Sequence, residues 1–414
     1  MKNNSDHLKS DIILLFSTRV IRLFAYGFLS VVLVLYLAEI GLSGYEIGLL
    51  LSLTLLGDVV VSLWVTTVTD RIGRKRMLIF GSVLMASAGA VFVFTKNPII
   101  LTIAAIVGII SPSGNEIGPF LSIEQAALSQ LIPNQRRTHI FGWYNLAGSF
   151  ATALGALSSG WLVESLRKSG FTLSDAYRSV LFGYSVGGLL LILLFIGLSS
   201  GVEISKTPTV KYKMGLHGSR KIVIKLSALF ALDAFAGGFI VQSIMAYWFH
   251  IRFGADTGVL GSIFFGANIL AGISALLAAR IAKRIGLIKT MVFTHIPSNI
   301  LLCLVPLMPN LASAIFVLLL RFSISQMDVP TRQSYTMAVV LPDERTAASG
   351  ITNIARSIGA AVSPSLSIFF FANPLFLSAP FFLAGGLKII YDLCLYHMFQ
   401  NIKPPEEKGE IITG

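Results

Sequence analysis

The stretch TDRIGRKRML, residues 69–78, holds five formal charges within the seven residues 70–76 and stands between two long apolar runs. In a chain of 414 residues of which only 13% are charged and 54% hydrophobic, such a knot needs a physical reason. Mean hydropathy is +0.78. That is more apolar surface than one soluble core can hide, so the chain reads as an integral membrane protein and the knot as a loop between two spans.

Net charge supports the same reading. The formal charge is +12, but Lys and Arg fall in short tracts between apolar runs, the pattern of cytoplasmic loops and not of a nucleic-acid-binding face. Both cysteines, Cys303 and Cys394, lie inside apolar runs, which gives neither a disulfide framework nor a metal cluster. No cofactor is expected. The polar N-terminus leads into a run of spanning length without a small-residue cleavage site, so that run is read as a retained first helix.

A helix needs about 20 apolar residues to cross the hydrocarbon. Twelve runs meet that need: 12–38, 44–69, 77–95, 98–131, 139–163, 178–199, 222–249, 257–279, 287–308, 311–340, 346–371 and 376–399. Counted with the first four residues of the run that follows, the loops after even-numbered runs carry 17 Lys and Arg, from Arg71 to Arg345, against five (Lys96, Arg167, Lys168, Arg178 and Arg252) in the loops between. By the positive-inside rule both termini are cytoplasmic. The polar stretch 200–221 divides the chain into halves at 1–199 and 222–414.

The halves echo one another. RTHIFGWYN (137–145) and RTAASGITN (345–353) share Arg, Thr, Gly and Asn at an offset of 208, which also maps Gln125 onto Gln333. AYGFLSVVLVLY (25–36) and AGGFIVQSIMAY (236–247) match at an offset of 211, and RIG at 71–73 recurs at 284–286. Three matches in one order at nearly one offset indicate duplication.

Asp70-Arg71-Ile72-Gly73-Arg74-Lys75-Arg76, between the second and third of twelve runs and echoed after the eighth, resembles the loop signature of the major facilitator superfamily. The resemblance implies an all-α membrane fold of two pseudo-two-fold-related six-helix bundles. Gly73 suits a tight turn. The family's pattern puts Asp70 near the start of the eleventh helix, about Thr346, where a carboxylate favours the positive end of the helix dipole, and makes Asp70, Arg71 and Arg74 a conformational latch. Two exporter features are missing. Ala104 stands four residues before Gly108 where many proton-driven exporters carry Arg, and Gly155-Ala156 replaces their Gly-Pro pair.

Ionisable residues inside spans are costly and are functional candidates by default. The repeat offsets place Arg22 opposite Asp233 and Glu124 opposite Arg332, at about 12–15 Å from the cytoplasmic helix ends. Asp58 and Arg356 form a third candidate pair on the second and eleventh helices. These three pairs are expected to gate across the halves, with static pairing inside each half as the alternative. On a continuous tenth helix Arg321, Ser325, Asp328 and Arg332 share one face. Asp328 and Arg332 neutralise one another four apart, leaving Arg321 as the anion candidate. In SPSGNEIGPFLSIEQ (111–125), Pro112, Gly114, Gly118 and Pro119 surround Glu116, so the fourth helix is expected to break there. Glu116 then becomes a protonation or cation site, with Glu124, Asp328 and Arg332 as further candidates for substrate or proton binding. His295 is assigned to packing and Asp392 to snorkelling toward the cytoplasm.

The expected function is secondary active transport of a small polar or amphipathic solute, proton-coupled, by alternating access in the plasma membrane, as a monomer in the lipid bilayer. A multidrug efflux antiporter of the same fold is the nearest alternative; a transport-like sensor or a passive channel are alternatives of another class. No GxxxxGK[ST] loop is present and the short loops offer no catalytic constellation, so neither ATP-driven transport nor an enzyme is expected.

Overall fold

A computed structural model describes residues 2–115, 119–132, 137–203, 216, 218–341, 344–371 and 373–402. Among these residues sixteen α-helices account for the twelve apolar runs, because four runs are each folded as two helices. The first run gives α1 (Lys2–Ser30) and α2 (Leu33–Glu39), and the fourth gives α5 (Pro98–Val107) and α6 (Phe120–Leu131). The seventh gives α9 (Arg220–Gly238) and α10 (Gln242–Phe253), and the tenth α13 (Leu311–Phe322) and α14 (Asp328–Val339). The remaining eight are α3 (Gly44–Ile72), α4 (Arg74–Phe94), α7 (Arg137–Lys168), α8 (Leu173–Ile196), α11 (Thr257–Ile285), α12 (Leu287–Leu304), α15 (Arg345–Phe371) and α16 (Ala379–Phe399). Breaks therefore recur every third run.

Local chemistry explains several boundaries. Ser43 and Glu46 form a reciprocal capping box at the start of α3, satisfying amide donors that have no helical acceptor. Asn97, Thr172 and Asn310 cap α5, α8 and α13 through their side-chain oxygens. Gly73 ends α3 and opens α4 at φ +107°, and its repeat equivalent Gly286 does the same between α11 and α12 at φ +89°. A side chain is strained at either angle, so RIG at 71–73 and 284–286 encodes one turn twice.

The chain forms two compact units, one of Met1–Thr207 with Val241–Ile269 and the other of Pro208–Ile240 with Leu270–Gly414. The border thus departs from the polar linker: α10 and the first part of α11 belong to the first unit. Within that unit α1 lies against α7, where Gly27 meets the Thr152 backbone so closely that a Cβ would overlap it. In the second unit Gly238, the equivalent of Gly27, meets Ala360 and Ser363 of α15 in the same way. Small residues at these crossings let helix backbones approach in a medium that gives little hydrophobic drive for helix association. The second unit's core gathers Leu226, Phe230, Met291, Tyr335, Tyr391 and Phe399 from α9, α12, α14 and α16.

The tenth run corrects the expectation of one continuous helix. Residues 323–327 are non-helical, so Arg321 lies in the last turn of α13 and Asp328 opens α14. A cation at a helix C-terminus and a carboxylate at an N-terminus both favour the local dipole.

Candidate functional site

In the first unit α1 and α6 bring Arg22 and Glu124 together as a bidentate pair, with both N–H···O distances 2.7 Å. Thr18 donates to Glu124 Oε1 at 2.9 Å and the Tyr144 hydroxyl donates to Oε2. The carboxylate accepts four hydrogen bonds, and Arg22, Glu124, Thr18 and Tyr144 are fully buried. Four acceptor sites filled leaves the carboxylate saturated. Arg22 also stacks 4.7 Å from the Phe120 ring centroid, and Arg19 lies 4.3 Å from that of Tyr144 while donating from Nε to the Tyr144 carbonyl.

At the repeat-equivalent positions of the second unit the polarity is reversed and the crowd is larger. Asp233 on α9 accepts from Arg332 of α14 at 3.1 Å, from Arg356 of α15 at 3.1 Å and from Lys388 of α16. Arg332 shares the same Nη1 with Asp328 at 2.9 Å. One turn beyond Lys388, Asp392 accepts from Asn299 at 3.2 Å and contacts His295 Nδ1 at 2.9 Å, both on α12. Arg321 is 8% exposed, and Ser325 is 4% exposed. The Nε of the first and the Oγ of the second are buried without a hydrogen-bond partner among the described residues.

These contacts re-pair the charges. Arg22 is held by Glu124 within the first unit, and Arg332 by Asp233 and Asp328 within the second. The offsets identified equivalent positions, but a first-run residue reaches the fourth run of its own half. Arg356 joins Asp233, whereas half-buried Asp58 accepts from Ser62 at 3.4 Å. His295 and Asp392 form a buried hydrogen-bonded pair, which replaces the packing and snorkelling roles expected of them. Asp328 and Arg332 do meet four apart.

The basic loop serves helix ends. Glu203, at the start of the linker, accepts from the Arg74 and Lys75 amides at 2.8 and 3.2 Å, capping α4. Lys75 Nζ donates to the carbonyls of Ile196 and Leu198 at the end of α8, the cation-to-C-terminus arrangement. Arg74 bonds Gln130 and the Val202 carbonyl, and Arg71 is exposed. The Asp70 side chain lies outside the described residues, as does Glu116. The break expected around Glu116 is present, since residues 108–115 and 119 are non-helical between α5 and α6.

Four participants escaped the sequence reading. Lys388 was legible as a lysine inside an apolar run, and Arg19 likewise. Tyr144 and Glu203 carry no signal of their own, because their roles arise only from tertiary neighbours. Among the described residues no cluster of three or more His, Cys, Asp or Glu is arranged for a metal.

Comparison with known proteins places the fold. The Major Facilitator Superfamily model matches residues 15–364. Uncharacterized membrane protein YJR124C of Saccharomyces cerevisiae is 30% identical over 95% of this chain and 94% of its own length. Quinolone resistance protein NorA of Staphylococcus aureus is 22% identical over 160 residues, 39% of this chain and 40% of that protein. The crystal structure of the D-xylose-proton symporter is similar with a TM-score of 0.71 at 15% identity, covering 93% of this chain and 97% of that one. With a family match over residues 15–364 and twelve apolar runs, this multi-pass membrane protein belongs to the Major Facilitator Superfamily of transporters.

Proposed function

We propose that the protein is a secondary active transporter that moves a small polar or amphipathic solute by alternating access and couples the movement to protons. The observation that carries this reading is the buried charge set in the second unit, built on broken helices. Desolvation offsets most of what such ion pairs contribute to stability, while a site for charged solutes or protons requires them. Asp233, Asp328 and Arg332, with Arg321 and Glu116, are the binding and protonation candidates. Glu124 and Arg22 hold one stage of the cycle. The crossed pairings, Arg22 with Asp233, Glu124 with Arg332 and Asp58 with Arg356, belong to another.

In this reading Asp70, Arg71, Gly73 and Arg74 form the latch of the closed cytoplasmic side, both termini are cytoplasmic, and the protein works as a monomer in the plasma membrane. A second reading, drug efflux by the same fold, is favoured by the partial similarity to a quinolone resistance protein. Purified protein in proteoliposomes tests the proposal. Counterflow and a pH-gradient dependence of uptake are expected; uptake indifferent to both internal solute and pH gradient would refute it.

A further inference from the structure

Among the buried charges of the second unit, Arg321 stands apart. Asp233 is engaged by Arg332, Arg356 and Lys388, Asp328 by Arg332, and Asp392 by His295 and Asn299. Arg321 makes no hydrogen bond or ion pair among the described residues, although more than nine-tenths of it is buried and its Nε lacks any partner. Its guanidinium carbon lies 4.9 Å from the centroid of Phe322, its chain neighbour. Four cations face three carboxylates in this cluster, so one positive charge is left over.

The backbone that follows it, residues 323–327, is non-helical. Arg321 lies in the last turn of α13, and Ser325 sits in the non-helical stretch before α14, with its hydroxyl also buried and unpartnered among the described residues. The Gln326 amide is tied to Ser274 Oγ of α11 at 3.3 Å, which pins one side of the break. Carbonyls at the end of α13 offset part of the charge. A buried water would satisfy Nε but leave the charge uncompensated. A guanidinium held in such a place calls for an oxyanion, whose oxygens match its planar donors.

We infer that the solute carries an anionic oxygen group, a carboxylate or phosphate, that binds between the Arg321 guanidinium and the Ser325 hydroxyl at the break in the tenth run. This rests on the transport reading and names the substrate class within it. One singly charged anion balances the four cations against the three aspartates.

Thermal unfolding of detergent-purified protein tests the inference with matched probes: lactate beside lactamide, benzoate beside benzamide, phenyl phosphate beside phenol. At least one anion should raise the midpoint by about 3 °C at a hundred times its Kd, while its neutral partner does not. Arg321→Gln should weaken that anion at least about tenfold, and Arg321→Lys and Ser325→Ala less. The lysine variant keeps the test valid if the glutamine variant does not fold. Added phosphatidylglycerol should not reproduce the effect; if it alone does, the group recognised is a lipid headgroup and the solute assignment falls. Equal stabilisation by neutral partners, or an anion effect untouched in Arg321→Gln or Arg321→Lys, would overturn it. Anion binding that depends on Arg321 without counterflow of that anion would uphold the site and refute the transport reading.

Discussion

The two units place opposite charges at equivalent positions and treat them differently. In the first, one arginine meets one carboxylate, and Thr18 and Tyr144 take up the remaining acceptor sites of Glu124. In the second, one carboxylate holds three cations, one of which is shared with Asp328, and Arg321 makes no hydrogen bond or ion pair among the described residues. A saturated pair can exchange only by giving up several hydrogen bonds at once, whereas a crowded, shared cluster has alternative partners close at hand. The duplicated fold thus separates a fixed tie from a responsive one.

Removing the fixed tie should have the largest effect. Glu124→Gln strands Arg22 in a fully buried site, and thermal or denaturant unfolding in detergent should show a loss of about 3–5 kcal/mol. Charge exchange sharpens the comparison: Arg22→Glu with Glu124→Arg should regain much of the loss of either single change, and Glu124→Arg with Arg332→Glu should regain little. More rescue by the second combination would mean that the pairs described within each unit are not the stabilising ones. Next come the repeated turns. Gly73→Ala and Gly286→Ala should each cost about 1–3 kcal/mol, because both force a side chain into a backbone region reserved for glycine. Unequal losses would show that the two RIG turns are not equivalent in energy.

The smallest effects are expected where partners are redundant. Lys388→Met should cost about 1 kcal/mol or less, since Asp233 keeps both arginines; a loss as large as that of Glu124→Gln would erase the contrast between the units. Tyr144→Phe removes one of four donors to Glu124 and should cost about 1 kcal/mol.

The spans were legible because bilayer thickness sets a length that apolar runs reveal directly. The break in the fourth run was legible through Pro112, Gly114, Gly118 and Pro119. The tenth was read as continuous, although Pro330 in the first turn of α14, behind Asp328, is the signature of a helix start. The first run breaks at Val31 and Val32 with no residue to announce it. Among the charges, the repeat offsets found Arg22, Glu124, Asp233 and Arg332 but not their partners within each half, since an offset reports equivalent places and not contact. Lys388 was passed over in an otherwise apolar run. Glu203 binds 129 residues from Arg74, a distance in sequence over which local pattern carries no information.

Counterflow in proteoliposomes is the most direct test of the central claim, that the crowded cluster of the second unit handles a transported solute. The labelled probe should be the anion that most stabilises the purified protein, with Asp233→Asn measured beside the natural chain. Internal unlabelled anion should accelerate uptake by the natural chain, and the variant should insert normally yet lose the acceleration. Uptake unaffected by internal anion, or an Asp233→Asn variant that exchanges at the natural rate, would contradict the account.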